Sequence, residues 1–170
     1  MPGFQRRNLV TALAVGAGLG IRSALAAPPM LKLKDIEKES DLACVYHCDF
    51  GEERRFSQML DNIRNHIEVY NFDPLALKVV IVAHAAGVRF FLSDLAGTPW
   101  EKNPFDQDIQ GRMAALGGYG VQGLICAITL AKNKISEDRV RPEAWLRMIP
   151  SGIAAVATLQ AKGFAYVKIG

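Results

Sequence analysis

Residues 120–130 constrain the fold of this chain more than any other part, because a buried strand there runs directly into a helix. Small and apolar residues without polar alternation are typical of a strand that is covered on both faces. The residues that follow Cys126 are good helix formers. Cys126 is therefore predicted at the carboxyl end of a strand, the edge of an open α/β sheet where ligands bind.

Cys126 is also the residue at which we expect chemistry. The free N–H groups and partial positive charge of a helix amino terminus favour a thiolate over a thiol. The competing interpretation is that Cys126 is a small buried hydrophobic residue, as free cysteines often are. The local sequence leaves both interpretations open.

The first 26 residues have the pattern of an export signal. Arg6 and Arg7 precede an apolar, glycine-containing run, and Ala24-Leu25-Ala26 forms a small-x-small cleavage site. The paired arginines favour the twin-arginine route. An uncleaved anchor is the alternative, but about thirteen apolar residues are too few to span a bilayer comfortably. We predict cleavage after Ala26 and a periplasmic protein without stable membrane insertion.

Charge and motif patterns exclude several classes of function. The chain carries 20 Lys and Arg against 17 Asp and Glu, a formal charge of +3. Arg6, Arg7 and Arg22 leave with the signal, so 17 basic residues face 17 acidic ones and no basic excess remains to attract nucleic acid. The acidic residues show no paired arrangement suited to hydrolysis, and no glycine-rich loop follows a strand to bind phosphate. We therefore predict neither a nucleic-acid partner nor a cofactor.

Three cysteines in an exported chain leave at least one without a partner in the same chain. Cys44 and Cys48 lie four residues apart in a segment, residues 41–48, that is predicted to be a strand. Four residues of strand cover about 13 Å, whereas a disulfide needs Cα atoms within about 7 Å. The pair is predicted to remain unbridged.

The rest of the chain alternates strand and helix patterns. Residues 27–40 form a lead-in that we interpret as a tether or an arm on a neighbouring subunit, and residues 41–170 form the domain. Apolar residues three and four positions apart predict a helix over residues 53–70, and the β-branched run Leu77–Ala83 predicts a central parallel strand. Further helices are expected at 88–95, 105–116 and 153–162, and further strands at 145–149 and 164–169. This alternation predicts a doubly wound α/β sheet.

Several short motifs, in order along the chain, resemble the DsrE-like family: Val45-Tyr46-His47, residues 62–66, residues 80–84, residues 120–126 and residues 149–166. The resemblance covers about residues 41–169. It implies a three-layer α/β/α domain with a five-stranded parallel sheet, usually assembled as a homo-oligomer such as a trimer or hexamer. In family members that carry sulfur, a cysteine after the third strand receives a persulfide and hands it on, and Cys126 matches that position. Those members are cytoplasmic and work with partner subunits, whereas this chain is predicted to be exported.

Cys48, His84 and Cys126 each follow a predicted strand at the same sheet edge, so we expect them to converge. The first hypothesis is sulfur handling, in which Cys126 carries a persulfide or thiosulfonate supplied by a donor and passed to an acceptor protein. His84 would accept a proton or orient the substrate, and Cys48 would resolve the persulfide. His47 is expected to point away from Cys48, because side chains alternate along a strand.

Two other hypotheses belong to different classes. A Cys48, His84 and Cys126 edge suits a module that binds zinc, copper or a small ligand. A non-catalytic oligomeric scaffold would use the same residues only for packing. Tyr46, His47 and His66 are interpreted as structural, and whether the protein is an enzyme stays open.

Overall fold

The computed structural model describes residues 26–170, in which five parallel strands form one sheet. The predicted signal peptide, apart from Ala26, lies outside the described residues. The strands are β1 (Leu42–Cys48), β2 (Leu77–Ala83), β3 (Gln122–Cys126), β4 (Leu146–Ile149) and β5 (Ala165–Val167). Their order is β4-β3-β2-β1-β5, and every neighbouring pair is parallel. The predicted α/β class with a five-stranded parallel sheet is confirmed.

Within residues 26–170, four α-helices cover the sheet: α1 (Glu53–Val69), α2 (Asp108–Gly118), α3 (Ala127–Lys132) and α4 (Gly152–Ala161). Phe56 of α1 and Met113 of α2 belong to one buried cluster, which covers one face of the sheet. Val156 and Leu159 of α4 belong to a second buried cluster on the other face. The domain therefore has three layers, and we call the two sides of the sheet the α1 face and the α4 face.

Side chains of the central strand β2 alternate between these faces. Ile81 and Ala83 lie in the core of the α1 face, whereas Val80 and Val82 lie in the core of the α4 face. Both sets are fully buried, which explains why the sequence of β2 shows no polar alternation. The alternation places His84, the next residue after β2, on the α4 face.

A 3₁₀ segment at Ala85–Phe91 replaces the first half of the helix predicted at 88–95. Its backbone packs directly on the end of β1, since a Cβ atom on Gly87 would lie 2.1 Å from the carbonyl oxygen of Cys48. This close approach, together with a left-handed backbone at Ala85 (φ 48°), prevents a regular helix from starting at this point.

The lead-in, residues 27–40, contacts the domain of the same chain. The Leu31 N–H donates to the carbonyl of Met148 at 2.8 Å, and the Met148 N–H donates to the carbonyl of Pro29 at 3.0 Å. Further along, the Lys162 ammonium at the end of α4 donates to the carbonyl of Lys34 at 2.7 Å. The lead-in thus extends the sheet beyond β4 and then packs against the α4 face.

Between residues 26 and 170, no helix has both the length and the apolar character needed to cross a membrane.

Candidate functional site

Two histidines meet at the carboxyl-terminal edge of the sheet. The Nε2 atoms of His47, in β1, and His84, just after β2, are 2.5 Å apart. Their ring centroids are 4.7 Å apart and their planes are inclined by 27°, so the two rings lie nearly end to end through their Nε2 atoms. At this distance one ring nitrogen donates a hydrogen bond to the lone pair of the other. Both side chains are half-buried, so the pair is open to solvent on one side.

The register of β1 against β2 brings the pair together. His47 lies opposite Val82, and His84 comes two residues later in the chain, on the same face as Val82. His47 is on that face too, because Val45, two residues earlier in β1, lies in the core of the α4 face. The two imidazoles therefore lie side by side on neighbouring strands, above the last residues of that core.

Tyr166 holds His47 from the outer side. In β5, Tyr166 pairs with Val45 of β1, and its hydroxyl lies 3.0 Å from Nδ1 of His47. The two rings make an edge-to-face contact with centroids 5.8 Å apart. A hydrogen bond at Nδ1 fixes the orientation of the His47 ring and leaves its Nε2 for the partner histidine.

His84 is held in place by the first turn of α4, which packs against it, and by the backbone of Ala85, the residue that follows it. A Cβ atom on Gly152 would lie 2.6 Å from the Cβ of His84 and 2.9 Å from ring atoms, so the missing side chain at 152 makes room for the imidazole. The next residue, Ala85, has φ 48°, and its N–H donates to Oγ1 of Thr129 at 3.0 Å. A left-handed alanine costs about 1–2 kcal/mol. Such strain is tolerated where the surrounding structure fixes the backbone, often at a functional site.

Burial lowers the pKa of His84, and the neighbouring His47 lowers it further, while the Asp49 carboxylate acts in the opposite direction. These effects favour the neutral form of His84, which keeps a nitrogen lone pair. Asp49 is exposed and follows β1. Its carboxylate and the ring nitrogens of the two histidines all lie within 4.8 Å of one another.

Cys126 lies beside this pair, at the end of β3. Ala83 pairs with Ile125, so the next residues along the two strands, His84 and Cys126, are neighbours across the sheet. Leu124 lies in the core of the α4 face and Ile125 in that of the α1 face, which places Cys126 on the α4 face with His84. Only 3% of Cys126 is exposed.

Cys48 does not join His84 and Cys126. It ends β1 on the α1 face, is fully buried in that core, and its Sγ would lie 2.8 Å from a Cβ atom on Gly87. The predicted convergence of three residues therefore reduces to two, because alternation along β1 sends Cys48 to one face and His47 to the other. The predicted Cys48, His84 and Cys126 ligand set is likewise not assembled.

Sequence reasoning missed His47, Asp49 and Tyr166 as members of the site. The alternation that separates His47 from Cys48 was visible in the sequence. What was not visible is the face on which His84 lies, since every residue of β2 except Lys78 is buried and neither face is marked by polarity. Tyr166 lies 119 residues from His47 and no local pattern connects them.

All three cysteines are free thiols, which confirms that Cys44 and Cys48 are not bridged. Burial raises the pKa of Cys44; burial, and then the charge of Asp49, raises that of Cys48. We expect both to react with iodoacetamide at neutral pH at least about 100-fold more slowly in the folded protein than in denaturant, because a buried thiol is a poor nucleophile. Peptide mass spectrometry of time points measures each site; equal rates in both states would contradict the packing.

His66 makes the stability of the fold depend on pH. Its Nδ1 lies 2.9 Å from the hydroxyl of Tyr46, and burial lowers its pKa below the ordinary 6.5. The unfolded chain then binds more protons than the folded one near and below pH 6.5, so this contribution to stability is present above that pH and is lost as the pH falls. Burial, and then the charge of Cys44, raises the pKa of Tyr46 to about 12, so its hydroxyl stays protonated.

Urea unfolding at about pH 7.5 and at about pH 5.5 measures how much the free energy of unfolding falls between the two pH values. We expect this fall to be smaller in His66→Gln than in the wild type. His84 and the carboxylates contribute equally in both proteins, so the difference isolates His66. The same loss in both proteins would show that His66 has an ordinary pKa.

The fold and the site together define a class: a parallel α/β domain whose reactive groups gather at the carboxyl ends of its central strands. The chain belongs to the DsrE/DsrF-like family, whose sequence profile matches residues 44–169. A solved protein of unknown function from Methanobacterium thermoautotrophicum has a similar fold, with a TM-score of 0.60 and 23% identity over 75% of this chain and 98% of that one. At this identity the likeness shows the fold alone. No functionally curated protein matches the chain.

Proposed function

We propose that this protein is an exported carrier of sulfane sulfur that holds the sulfur on Cys126 as a persulfide or thiosulfonate. The observation that carries the proposal is the placement of Cys126 at the carboxyl end of β3, beside His84 and on the same face. Membership in the DsrE/DsrF-like family supports it, because members of this family are often implicated in sulfur relay.

The transfer needs no external oxidant when the donor already contains a sulfur–sulfur bond. The Cys126 thiol first loses its proton to the buffer, and the thiolate attacks the outer sulfur of a persulfide or polysulfide. A new bond forms between the Cys126 sulfur and that atom while the donor bond breaks, and the donor leaves as a thiolate with one sulfur fewer. With tetrathionate, the thiolate attacks one of the two central sulfurs, the central sulfur–sulfur bond breaks, thiosulfate leaves and Cys126 retains an S–SO₃ group. In both cases His84, the neighbour of Cys126 in the strand register, orients the donor.

The burial of Cys126 favours a small donor. With 3% of the residue exposed, an inorganic polysulfide reaches the sulfur more readily than a folded protein does.

Ile128 of α3 is 48% exposed and Ile153 of α4 is 61% exposed, on the helices that begin next to Cys126 and His84. Exposed apolar side chains of this kind are typical of contact surfaces. We propose that they contact an acceptor protein or another copy of this chain in a homo-oligomer.

Intact-protein mass spectrometry before and after incubation with polysulfide or tetrathionate tests the sulfur step. We expect a mass gain of one sulfur, or of one thiosulfonate group, that disappears on reduction and is absent from Cys126→Ser. Cys48→Ala is the matched control and should load normally, because Cys48 lies on the other face. Failure to load a free Cys126 would leave the fold intact and turn the search to ligand binding or scaffolding.

Cell fractionation tests the export step. We expect the protein in the periplasm with Ala27 as its first residue, and retention of Arg6→Lys/Arg7→Lys in the cytoplasm, because the twin-arginine route requires the paired arginines. A cytoplasmic wild-type protein with an intact amino terminus would contradict export, whatever the sulfur experiment shows.

A further inference from the structure

We propose that His47, His84 and Asp49 bind a divalent transition-metal ion such as Zn²⁺. Within residues 26–170, they are the one group of three or more His, Cys, Asp or Glu side chains whose ligand atoms lie close enough to share an ion. His84 belongs to both this site and the proposed sulfur site, but Cys126 is not among the three ligands, so the two proposals can be tested separately.

The two imidazole nitrogens already lie close to the spacing that binding of a single ion requires. Both Nε2 atoms point at each other across 2.5 Å. Two nitrogens on a tetrahedral zinc ion, each about 2.0–2.1 Å from the metal, stand about 3.3 Å apart. An increase of less than about 1 Å in the distance between the two nitrogens therefore makes room for the ion. Small side-chain rotations supply this without moving β1 or β2, whose ladder runs up to the pair.

Asp49 supplies the third ligand and a compensating charge. It follows β1 two residues after His47 and lies on the same side of the sheet. Two imidazole nitrogens and one carboxylate oxygen suit zinc and other first-row divalent ions. Three protein ligands leave a fourth position for water or a small anion, as in sites where the metal acts on a bound molecule. The exposure of Asp49 gives that position access to solvent.

The neighbouring residues hold each ligand in place. The Tyr166 hydroxyl lies 3.0 Å from Nδ1 of His47, and when it accepts the Nδ1–H it leaves the Nε2 lone pair for the ion. Gly152 lets α4 pack against His84 and limits the movement of its ring. A metal-bound histidine usually has a hydrogen-bond partner on its second ring nitrogen, as His47 has in Tyr166. Loss of that partner typically costs 10- to 100-fold in metal affinity.

Co²⁺ titration of the untagged protein tests the ligand set without any mutation. We expect one Co²⁺ per chain, a visible spectrum of a low-coordinate ion, and no sulfur-to-cobalt charge-transfer band in the near ultraviolet, because all three ligands are nitrogen or oxygen. Zn²⁺ should displace the Co²⁺ and give the same stoichiometry by calorimetry. A charge-transfer band, or no binding at micromolar metal, would overturn the proposal.

Variants then assign the ligands. His47→Ala, His84→Ala and Asp49→Asn should each lower Zn²⁺ affinity, with the histidine variants losing about 100-fold or more. Tyr166→Phe should lose about 10- to 100-fold through the His47 ring alone. His66→Gln is the matched control: it removes the remaining histidine of the chain, which contacts Tyr46 and Tyr70 instead, and should bind normally. Circular dichroism confirms that each variant is folded.

Cys126→Ser separates this inference from the proposed function. We expect this variant to bind one Zn²⁺ with wild-type affinity while losing all sulfur loading. Loss of metal binding in Cys126→Ser, or its survival in the His47→Ala/His84→Ala double variant, would place the ion elsewhere and overturn the site. Protection of His47 and His84 from diethylpyrocarbonate by Zn²⁺ in the wild-type protein gives the same answer if a variant fails to fold.

Discussion

Gly87→Ala is expected to lower the free energy of unfolding by about 3 kcal/mol or more, or to prevent folding. A Cβ atom at this position would lie 2.1 Å from the carbonyl oxygen and 2.8 Å from the sulfur of Cys48. The oxygen belongs to the backbone, which cannot rotate away as a side chain would. The 3₁₀ segment must therefore lift from the end of β1, and urea unfolding measures the loss.

Gly111→Ala is the matched control for that experiment. Gly111 lies in α2, and nothing lies within 4 Å of a Cβ atom built on it. Alanine there should stabilise the protein by about 0.4–1 kcal/mol, because it narrows the unfolded ensemble without adding a clash. If Gly87→Ala proved no less stable than Gly111→Ala, the close packing of residues 85–91 on β1 would be disproved.

Gly152→Ala is expected to displace His84 and to separate the histidine pair. The added methyl group would lie 2.6 Å from the Cβ of His84 and 2.9 Å from two of its ring atoms. Because the nearest atom is a Cβ, rotation of the ring alone does not relieve the contact. We expect a loss of about 1–3 kcal/mol in stability and, if the site binds metal as proposed, a fall in Zn²⁺ affinity of about 100-fold or more.

Nuclear magnetic resonance of the imidazole protons reports the displacement directly, with metal binding as a second measurement. Ile153→Ala is the control, since Ile153 is the next residue of α4 and is 61% exposed. Its imidazole resonances should match those of the wild type. Wild-type resonances in Gly152→Ala as well would mean that His84 does not rest against α4.

The strands and helices that form the core could be predicted because their patterns are strong. Leu77–Ala83 is a run of apolar and β-branched residues, and α1 carries apolar residues three and four positions apart. Both elements lie where the sequence placed them, within a residue. The helix predicted at 88–95 differs because its course is set by contact between Gly87 and Cys48, which are 39 residues apart. No local propensity encodes such a contact.

The edge of the sheet that carries the site could be predicted, but its occupants could not. Parallel strands bring their carboxyl ends to one edge, which predicts His84 and Cys126 as neighbours, and the Ala83–Ile125 pairing brings the ends of those two strands together. Which of two consecutive residues, His47 or Cys48, joins them depends on the face of the sheet. That face is set by the packing of α4 against β1 and β2, so it emerges only from the tertiary structure.

The lead-in at residues 29–31 covers the β4 edge of the sheet. A bare edge strand is a template for strand addition and aggregation, but here the Pro29 and Leu31 backbone groups occupy the exposed side of β4. The opposite edge, β5, is three residues long. Cleavage after Ala26 would leave the covering segment on the mature chain. Neither edge therefore offers a long bare strand for pairing between molecules, and we expect any association between copies to use helical surfaces instead.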